Sequence, residues 1–270
     1  MSLRIGASGF SYDDWVGPFY PPSLKKTERF EYYARIFDTV EINVSYYTWL
    51  SMTAVRSLVA RAPDGFAFSI KLHRSLTHEK DGKLEHGIVA TIEQNKPFKE
   101  AGTLIAQLAQ FPNRFTPTAK NWERIEKMAE SLLPLSLEFR NAEWQTDEVR
   151  ARLAKLPVSL CAVDQPTLTG LLEFDDTVQG KLAYIRLHGR NAKMWYEHEH
   201  AWQRYDYLYS QLELSDLAEN VGKMNERAQD TVVYFNNHYG GQAVANARQL
   251  AEKMGVTMGS VKSQRTLFEP

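Results

Sequence analysis

The chain has 270 residues, of which 43% are hydrophobic and 24% charged, a composition typical of a globular protein with a large core. Its 32 basic and 33 acidic residues leave a formal net charge of -1. This balance excludes a whole-surface attraction to nucleic acid or anionic lipid, and leaves only a local basic patch open. The single cysteine, Cys161, excludes an intramolecular disulfide and is expected to be a buried thiol.

No cationic, apolar leader stands at the N-terminus, and no apolar run approaches the roughly 20 residues of a membrane-spanning helix. We therefore expect a cytoplasmic protein with no membrane partner. The length suits one domain over residues 1–270, with a C-terminal tail at 256–270 after the last helical pattern.

Eight short apolar runs have the length and the composition of strands that are covered on both faces. They are Leu3–Ser8, Val40–Val44, Phe66–Ile70, Thr103–Leu108, Leu135–Phe139, Val158–Val163, Leu182–Leu187 and Thr231–Asn236. Helical periodicity fills most of the gaps between them. We predict helix N-caps at Thr146 and Ser215, and a helix stop at Gly255.

Strands that alternate with helices predict parallel βαβ units, and eight such units predict closure. The predicted fold is therefore α/β, a single (β/α)8 TIM barrel. An open doubly wound sheet is the alternative, but no glycine-rich phosphate fingerprint follows the first run. In a barrel, the long connections Gly9–Leu24, Arg74–His86 and Gly189–Leu214 follow strands and lie at the active face.

Polar residues stand at the ends of seven runs, commonly two apart. They are Glu41 and Asn43, Lys71 and His73, Gln107, Glu138 and Arg140, Asp164, Arg186 and His188, and Asn236 and His238. Period-two spacing puts both members of a pair on one side of a strand, and the helix-facing side should be apolar. We therefore predict that Glu138, Arg140, Asp164, Arg186 and His188 line one pocket at the carboxyl ends of the strands.

Two interpretations of these groups stay open. Three carboxylates and three permanent cations occur among them, so the barrel mouth could neutralise itself as a structural ion network. Alternatively the groups form a ligand site, which the supply of polar residues from seven strands to one end favours.

The leading functional hypothesis is an enzyme of hydrolase or lyase type that acts on a phosphate- or carboxylate-bearing substrate. Lys71, Arg140 and Arg186 would hold the anion, arginine by bidentate contact and lysine as a point charge. The other polar substrate contacts are predicted to be His73, Asn43 and Asn236.

The same hypothesis assigns catalysis to strand-end groups with suitable chemistry. Glu138 or Asp164 would be the general base, and His188 or His238 the general acid. A sugar or base would be covered by Tyr12, Trp15 and Tyr46. The rivals are a barrel that binds a metabolite or nucleic acid without turnover, and a scaffold whose aromatic loops contact other proteins.

Seven segments together carry a family resemblance. They are IGASGFSYDDWVGPFYP, EINVSYY, FAFSIKLHRSLTH, IAQLAQFP, LEFRNAEW, YIRLHGR and YFNNHYGGQAVANA. They resemble the YecE-like family, also called domain of unknown function 72, from residue 5 to about residue 250. Phe10 and Tyr46 are mild departures, where tryptophan and phenylalanine are more familiar.

The resemblance implies a (β/α)8 barrel and no established activity. The family is also distantly similar in fold to endonuclease IV and xylose-isomerase-type barrels, which gives a metal-dependent phosphodiesterase as a further alternative. A likeness of fold transfers no chemistry by itself.

The residue types argue against a multi-zinc centre, because lysine, arginine and asparagine stand among the few strand-end histidines and carboxylates. The expectation is no metal cofactor, or at most one divalent ion on Glu138, Asp164 and His188. We expect elemental analysis of dialysed protein to find no more than one ion per chain. Two or more equivalents of zinc or manganese would restore the endonuclease-like alternative.

Overall fold

The computed structural model describes residues 2–79 and 83–258, and in it eight parallel strands form one curled sheet. The strands are β1 Ser2–Ala7, β2 Thr39–Ile42, β3 Ala67–Lys71, β4 Leu104–Gln110, β5 Leu135–Glu138, β6 Val158–Asp164, β7 Leu182–Leu187 and β8 Asp230–Phe235. From β2 to β8 each strand pairs with its sequence neighbour, and β8 pairs with β1, whereas β1 and β2 are linked by an isolated bridge between Ser8 and Glu41. Every strand overlaps its predicted run, and the predicted (β/α)8 TIM barrel is confirmed.

Helices cover the outside of this barrel. They are α1 Arg29–Ala34, α2 Met52–Arg61, α3 Arg74–Thr77, α4 Leu84–Glu100, α5 Ala119–Ser131, α6 Asp147–Leu153, α7 Gln211–Arg227 and α8 Gln242–Lys253. Within the described ranges, each crossover between consecutive strands contains a helix except the one from β6 to β7. No helix of the described part has both the length and the apolar composition needed to cross a bilayer.

Two of the three predicted helix boundaries are confirmed. The Thr146 side chain accepts from the Val149 amide at the start of α6, and Gly255 follows α8 with a φ of 64°. The predicted N-cap at Ser215 is wrong. Helix α7 begins a turn earlier, because Ser210 caps it in a reciprocal capping box with Glu213.

The barrel closes differently between β1 and β2 than elsewhere. The Tyr33 hydroxyl of α1 stands between these strands, accepting from the Ala7 amide at 2.8 Å and donating to the Thr39 carbonyl at 3.0 Å. One step further along, the Gly9 amide donates to the Glu41 carbonyl at 2.8 Å. A side chain therefore supplies part of the closure that backbone pairing supplies elsewhere.

Gly6 lies at this closure, where space for a side chain is missing. A Cβ there would lie 2.4 Å from the Thr39 carbonyl oxygen and 2.9 Å from the Tyr33 hydroxyl. We expect Gly6→Ala to lower the free energy of unfolding by about 2–3 kcal/mol, because the backbone must shift to admit the methyl group. Urea denaturation measures this.

Gly222, in α7, offers the matched control, since a methyl group added there would have nothing within 4 Å. Gly222→Ala should raise stability by up to about 1 kcal/mol, as alanine favours a helix interior. Equal stability of Gly6→Ala and the wild type would show that the closure is not tight.

The barrel interior is apolar at its centre and polar toward the carboxyl ends. Its inner cluster contains Ala106, Leu108, Leu182, Tyr184, Val232 and Tyr234. Cys161 packs against this cluster but is only partly buried, short of the fully buried thiol that we expected; the burial that it has raises the pKa of its thiol well above the ordinary value. The predicted tail at 256–270 is described only as far as residue 258; its remainder lies outside the described residues, and the division of the chain at that point stays a prediction.

Candidate functional site

A buried ion network occupies the barrel at the carboxyl ends of the strands. Arg186 of β7 donates to Glu41 Oε1 at 2.7 Å and to Glu138 Oε2 at 2.6 Å. The Tyr184 hydroxyl donates to the other Glu41 oxygen at 2.7 Å. Arg186 is 1% exposed and both carboxylates are 0% exposed. These groups form ion pairs with one another away from solvent, as the structural interpretation of the strand-end residues predicts, although Arg186 Nε has no hydrogen-bond partner among the described residues.

Arg140 extends the network toward the surface. Its Nη2 lies 2.7 Å from Glu138 Oε1 and 2.8 Å from His188 Nε2, and its Nη1 donates to Gln165 Oε1 at 2.6 Å. His188 Nε2 also lies 3.3 Å from Glu138 Oε1, so this nitrogen has both a donor and an acceptor as neighbours. Nδ1 faces the Asn236 amide at 2.9 Å.

The protonation of this network follows from burial and neighbouring charge. Burial alone would raise the pKa of Glu138, but Arg186 and Arg140 outweigh it and hold that pKa well below the ordinary value. Burial, aided by Arg140, lowers the pKa of His188 well below its ordinary value. Glu138 is therefore ionised and His188 neutral at physiological pH, and neither is exposed to a ligand.

An open cavity of about 460 Å³ lies above the network. Its lining residues are Tyr46, Tyr47, Lys71, His78, Gln110, Pro112, Asn113, Arg140, Leu171, Trp195, Tyr196, His198, Ala201, Arg204 and Tyr205. We call it the strand-top cavity. Cations, histidines and aromatic rings line it, and in the described part of the chain no aspartate or glutamate does.

Lys71, at the end of β3, is a cavity cation whose pKa is influenced by the charges of the buried network. Burial lowers its pKa to about 8, with Arg186 adding to the shift and Glu138 opposing it. Its Nζ lies 4.6 Å from the centre of the Tyr46 ring. With the residues that the structure describes, the Lys71 side-chain amine forms no hydrogen bond and no ion pair.

Arg204 is a second cavity cation, and the sequence did not single it out. It lies in a 3-10 turn, Ala201–Tyr205, of the long connection after β7. Its Nε donates to the Trp195 carbonyl at 2.8 Å and its guanidinium lies 5.3 Å from the centre of the Trp195 ring. A loop residue carries no periodic signal, so spacing could not have identified it.

His78 is a further ionisable group in the lining of the strand-top cavity. Burial, then Lys71 and Arg114, lower the pKa of His78 to about 4. Its ring meets Tyr46 at 5.0 Å in an edge-on contact. A neutral imidazole, a phenol and an ammonium group therefore share one wall of the cavity.

Asp164 does not join the other predicted pocket residues, and this part of the convergence prediction is wrong. Its carboxylate pairs with Arg190 at 2.7 Å and accepts from the Tyr209 hydroxyl at 2.6 Å. Cys161 of β6 and Gln165, the residue after β6, point inward; Asp164 is one residue out of step with them and therefore faces the helices. One ion cannot be shared by Glu138, His188 and Asp164 in this arrangement.

Gln107 also lies outside the barrel. Its side chain donates to the Leu132 carbonyl and accepts from Asn95 of α4. Gln110, three residues later, is the β4 residue that reaches the strand-top cavity. The fourth predicted run ended at Leu108, whereas β4 continues to Gln110, so the sequence did not identify Gln110 as a strand-end residue.

Arg186 and Trp15, two of the predicted ligand contacts, are almost completely buried, and these two predictions are wrong. Arg186 cannot clamp an anion, because Glu41 and Glu138 occupy its guanidinium. Trp15 is 0% exposed, and its indole nitrogen donates to the His238 carbonyl at 2.6 Å. Trp15 is therefore part of the core and cannot cover a ligand.

The other predicted residues lie around the strand ends in three places. Tyr46 lines the strand-top cavity. Tyr12 and Asn43 line a neighbouring cavity of about 400 Å³, and His238 stacks on Tyr12 with ring centres 4.6 Å apart. His73 lines neither cavity. Its ring stacks on that of Trp49, with ring centres 4.5 Å apart.

His198 and His200, which stand two apart in the connection after β7, have different surroundings. His198 lines the strand-top cavity, whereas His200 stacks beside Trp202. Across the described residues, no three His, Cys, Asp or Glu side chains are grouped as metal ligands. The donor set at the strand ends therefore does not fit a multi-metal centre.

Comparison with known proteins places the chain in a family. Residues 4–268 match the family described as protein of unknown function DUF72. The UPF0759 protein YunF of Bacillus subtilis (strain 168) is 25% identical over 290 residues, which cover 98% of this chain and 100% of YunF.

Solved structures agree with this match. A DUF72 family protein from Thermotoga maritima MSB8 is 37% identical, with a TM-score of 0.88 over 94% of this chain and 100% of that one. A DUF72 family protein from Enterococcus faecalis V583 is 29% identical, with a TM-score of 0.83 over 94% of this chain and 95% of that one. The match spans nearly the whole barrel, and the chain belongs to the DUF72, or YecE-like, family.

Proposed function

We propose that the strand-top cavity binds a small ligand that carries a phosphate or carboxylate group. The observation that carries this proposal is a cavity lined by Lys71, Arg140 and Arg204, with no carboxylate among its described lining residues. Fixed positive charge without a protein counter-ion attracts an anion from solution.

The charge balance of the strand ends supports the same conclusion. Arg186 and Arg140 are matched by Glu41 and Glu138, one cation for each carboxylate. Lys71 and Arg204 are left over, as neither forms an ion pair within the described ranges. An anion bound between them would supply the missing charge, and the guanidinium of Arg204 could contact it in bidentate fashion.

The aromatic lining indicates what else the ligand carries. Tyr46, Tyr47 and Tyr205 face the cavity with Trp195, and such rings pack against sugar or planar heterocyclic groups. The volume, about 460 Å³, falls in the range of small-metabolite sites, roughly 300–1,000 Å³. A phosphorylated or carboxylated metabolite fits these features better than a bare inorganic ion.

Turnover is a separate question from binding. The predicted acid–base groups Glu138 and His188 lie beneath the cavity and are engaged with Arg140, which leaves the hydrolase or lyase hypothesis without them. An enzyme would need to draw on Lys71, His78, His198 or the tyrosines of the lining. A barrel that only binds its ligand needs none of these groups. If the ligand concentration stays constant over hours of incubation with the wild-type protein, the protein binds without turnover.

Calorimetric titration with inorganic phosphate, pyrophosphate and a nucleoside monophosphate tests the proposal. We expect Arg204→Met to weaken binding by about tenfold or more, since loss of a charged hydrogen bond to a ligand costs about 1.5–3 kcal/mol. Lys223→Met is the control, because Lys223 is exposed and paired with Glu219. Equal affinities for wild type, Arg204→Met and Lys223→Met would refute the proposal.

A further inference from the structure

Lys71 differs from every other cation at the barrel mouth in having no polar partner. Arg186 and Arg140 each contact Glu138, whereas the Lys71 amine has only the face of the Tyr46 ring at 4.6 Å among the described residues. The amine also lines the strand-top cavity. Its position leaves the nitrogen open to a ligand.

Structural lysines on a barrel rim normally end in an ion pair or in open solvent, whereas Lys71 is partly buried and its amine has no ion pair among the described residues, which makes the charged form costly. The charged groups around Lys71 determine how far its amine stays protonated. Glu41 and Glu138 favour the charged amine, while burial, Arg186 and Arg140 disfavour it and prevail. At neutral pH a pKa of about 8 leaves roughly a tenth of the amine unprotonated.

Unprotonated amines attack carbonyl groups, and a lysine in a desolvated, cationic setting is the usual nucleophile in such chemistry. The amine here lies in a cavity that also contains Arg140 and Arg204. A ligand held by its carboxylate or phosphate on these guanidinium groups would have its body beside the Lys71 nitrogen.

We propose that Lys71 forms an imine with an aldehyde or ketone that carries a carboxylate or phosphate group. This inference rests on the anion-binding function proposed above and specifies its ligand class. The free amine adds to the carbonyl carbon to give a carbinolamine. Loss of one water, made of the carbonyl oxygen and the two amine hydrogens, then leaves a C=N bond without net oxidation or reduction.

The titratable groups around the amine match these proton movements. His78, neutral at pH 7, and the Tyr46 hydroxyl share its wall of the cavity. A neutral imidazole can accept a proton from the adding nitrogen and return one to the departing oxygen. Glu41 and Glu138 face the amine from below but are already engaged by Arg186.

Reductive trapping with cyanoborohydride tests the inference on the full-length chain, with glyoxylate and glyceraldehyde 3-phosphate as probes. Peptide mapping by mass spectrometry should find the reduced adduct on Lys71, formed on the order of a hundredfold faster than on exposed lysines at pH 7. Inorganic phosphate should slow trapping by competing for the same cations. The rate should rise with pH and level off above about pH 8, the pKa of Lys71.

Lys71→Arg separates this inference from the anion-binding proposal. Arginine keeps the positive charge but forms no imine, so the variant should retain phosphate binding and lose the specific adduct. Adducts spread evenly over exposed lysines in the wild type would overturn the imine. Calorimetric titration of the same sample with phosphate then tests the anion-binding proposal by itself, because phosphate binding requires no reaction at Lys71.

Discussion

Replacement of Arg186 by methionine should destabilise the protein by about 3–5 kcal/mol, because it leaves two buried carboxylates without their shared cation. Arg186 is 1% exposed and binds Glu41 and Glu138 at 2.7 and 2.6 Å. Chemical denaturation measures the loss, and failure to fold is the same effect at its limit.

Arg152→Met is the matched control for this change. Arg152 pairs with Glu126 at 2.7 Å, but the arginine side chain is 48% exposed, and pairs of this kind contribute about 0–1 kcal/mol. A loss for Arg186→Met no larger than that for Arg152→Met would mean that the buried network contributes nothing specific to the barrel.

Lys71→Met should have the opposite effect on stability while abolishing anion binding. Holding an unpaired ammonium destabilises the folded protein, as the lowered pKa of Lys71 records. Removing that charge should raise the free energy of unfolding by about 1–3 kcal/mol at pH 7. A gain in stability together with a loss of binding is the expected signature of a residue kept for its ligand.

The pH dependence of this gain has a definite sign. The pKa of Lys71 is about 8 in the folded chain against an ordinary value of 10.5. Between these values the unfolded chain binds the proton and the folded chain does not, so wild-type stability rises with pH relative to Lys71→Met. The advantage of Lys71→Met should therefore be full at pH 7 and smaller at pH 9.

Denaturant titrations at the two pH values, with Lys71→Arg as control, measure this change. Arginine stays protonated throughout, so the difference between Lys71→Arg and Lys71→Met should not vary with pH on this account. If Lys71→Met were less stable than the wild type at pH 7, the lysine would be a structural residue and its place in a ligand site would lose this support.

The alternation of eight apolar runs with helical patterns predicted the barrel, and the period-two spacing of polar residues predicted much of its polar mouth. Glu138, Arg140, Arg186 and His188 converge, because inward positions of neighbouring parallel strands meet at one end. Asp164 failed the same rule by one position. An apolar run does not reveal which alternate residues face inward when both faces are buried, and β6 is such a strand.

The sequence was least informative about the long connections and about which of their side chains are exposed to a ligand. Arg204 lies in a 3-10 turn and Trp15 in another, yet one lines the strand-top cavity and the other is core. Residue type predicts that both can bind ligands, and only packing decides which does. Likewise, the sequence left open whether Arg186 holds an anion or belongs to an ion network, because its two carboxylate partners come from distant strands.

The anion site itself can be located most directly by anomalous diffraction from crystals soaked in selenate or tungstate as phosphate substitutes. The account predicts a peak inside the strand-top cavity, in contact with Lys71 Nζ and the Arg204 guanidinium, that is absent from crystals of Arg204→Met. Anion peaks confined to exposed lysines and arginines, with none in the cavity of the wild type, would contradict it.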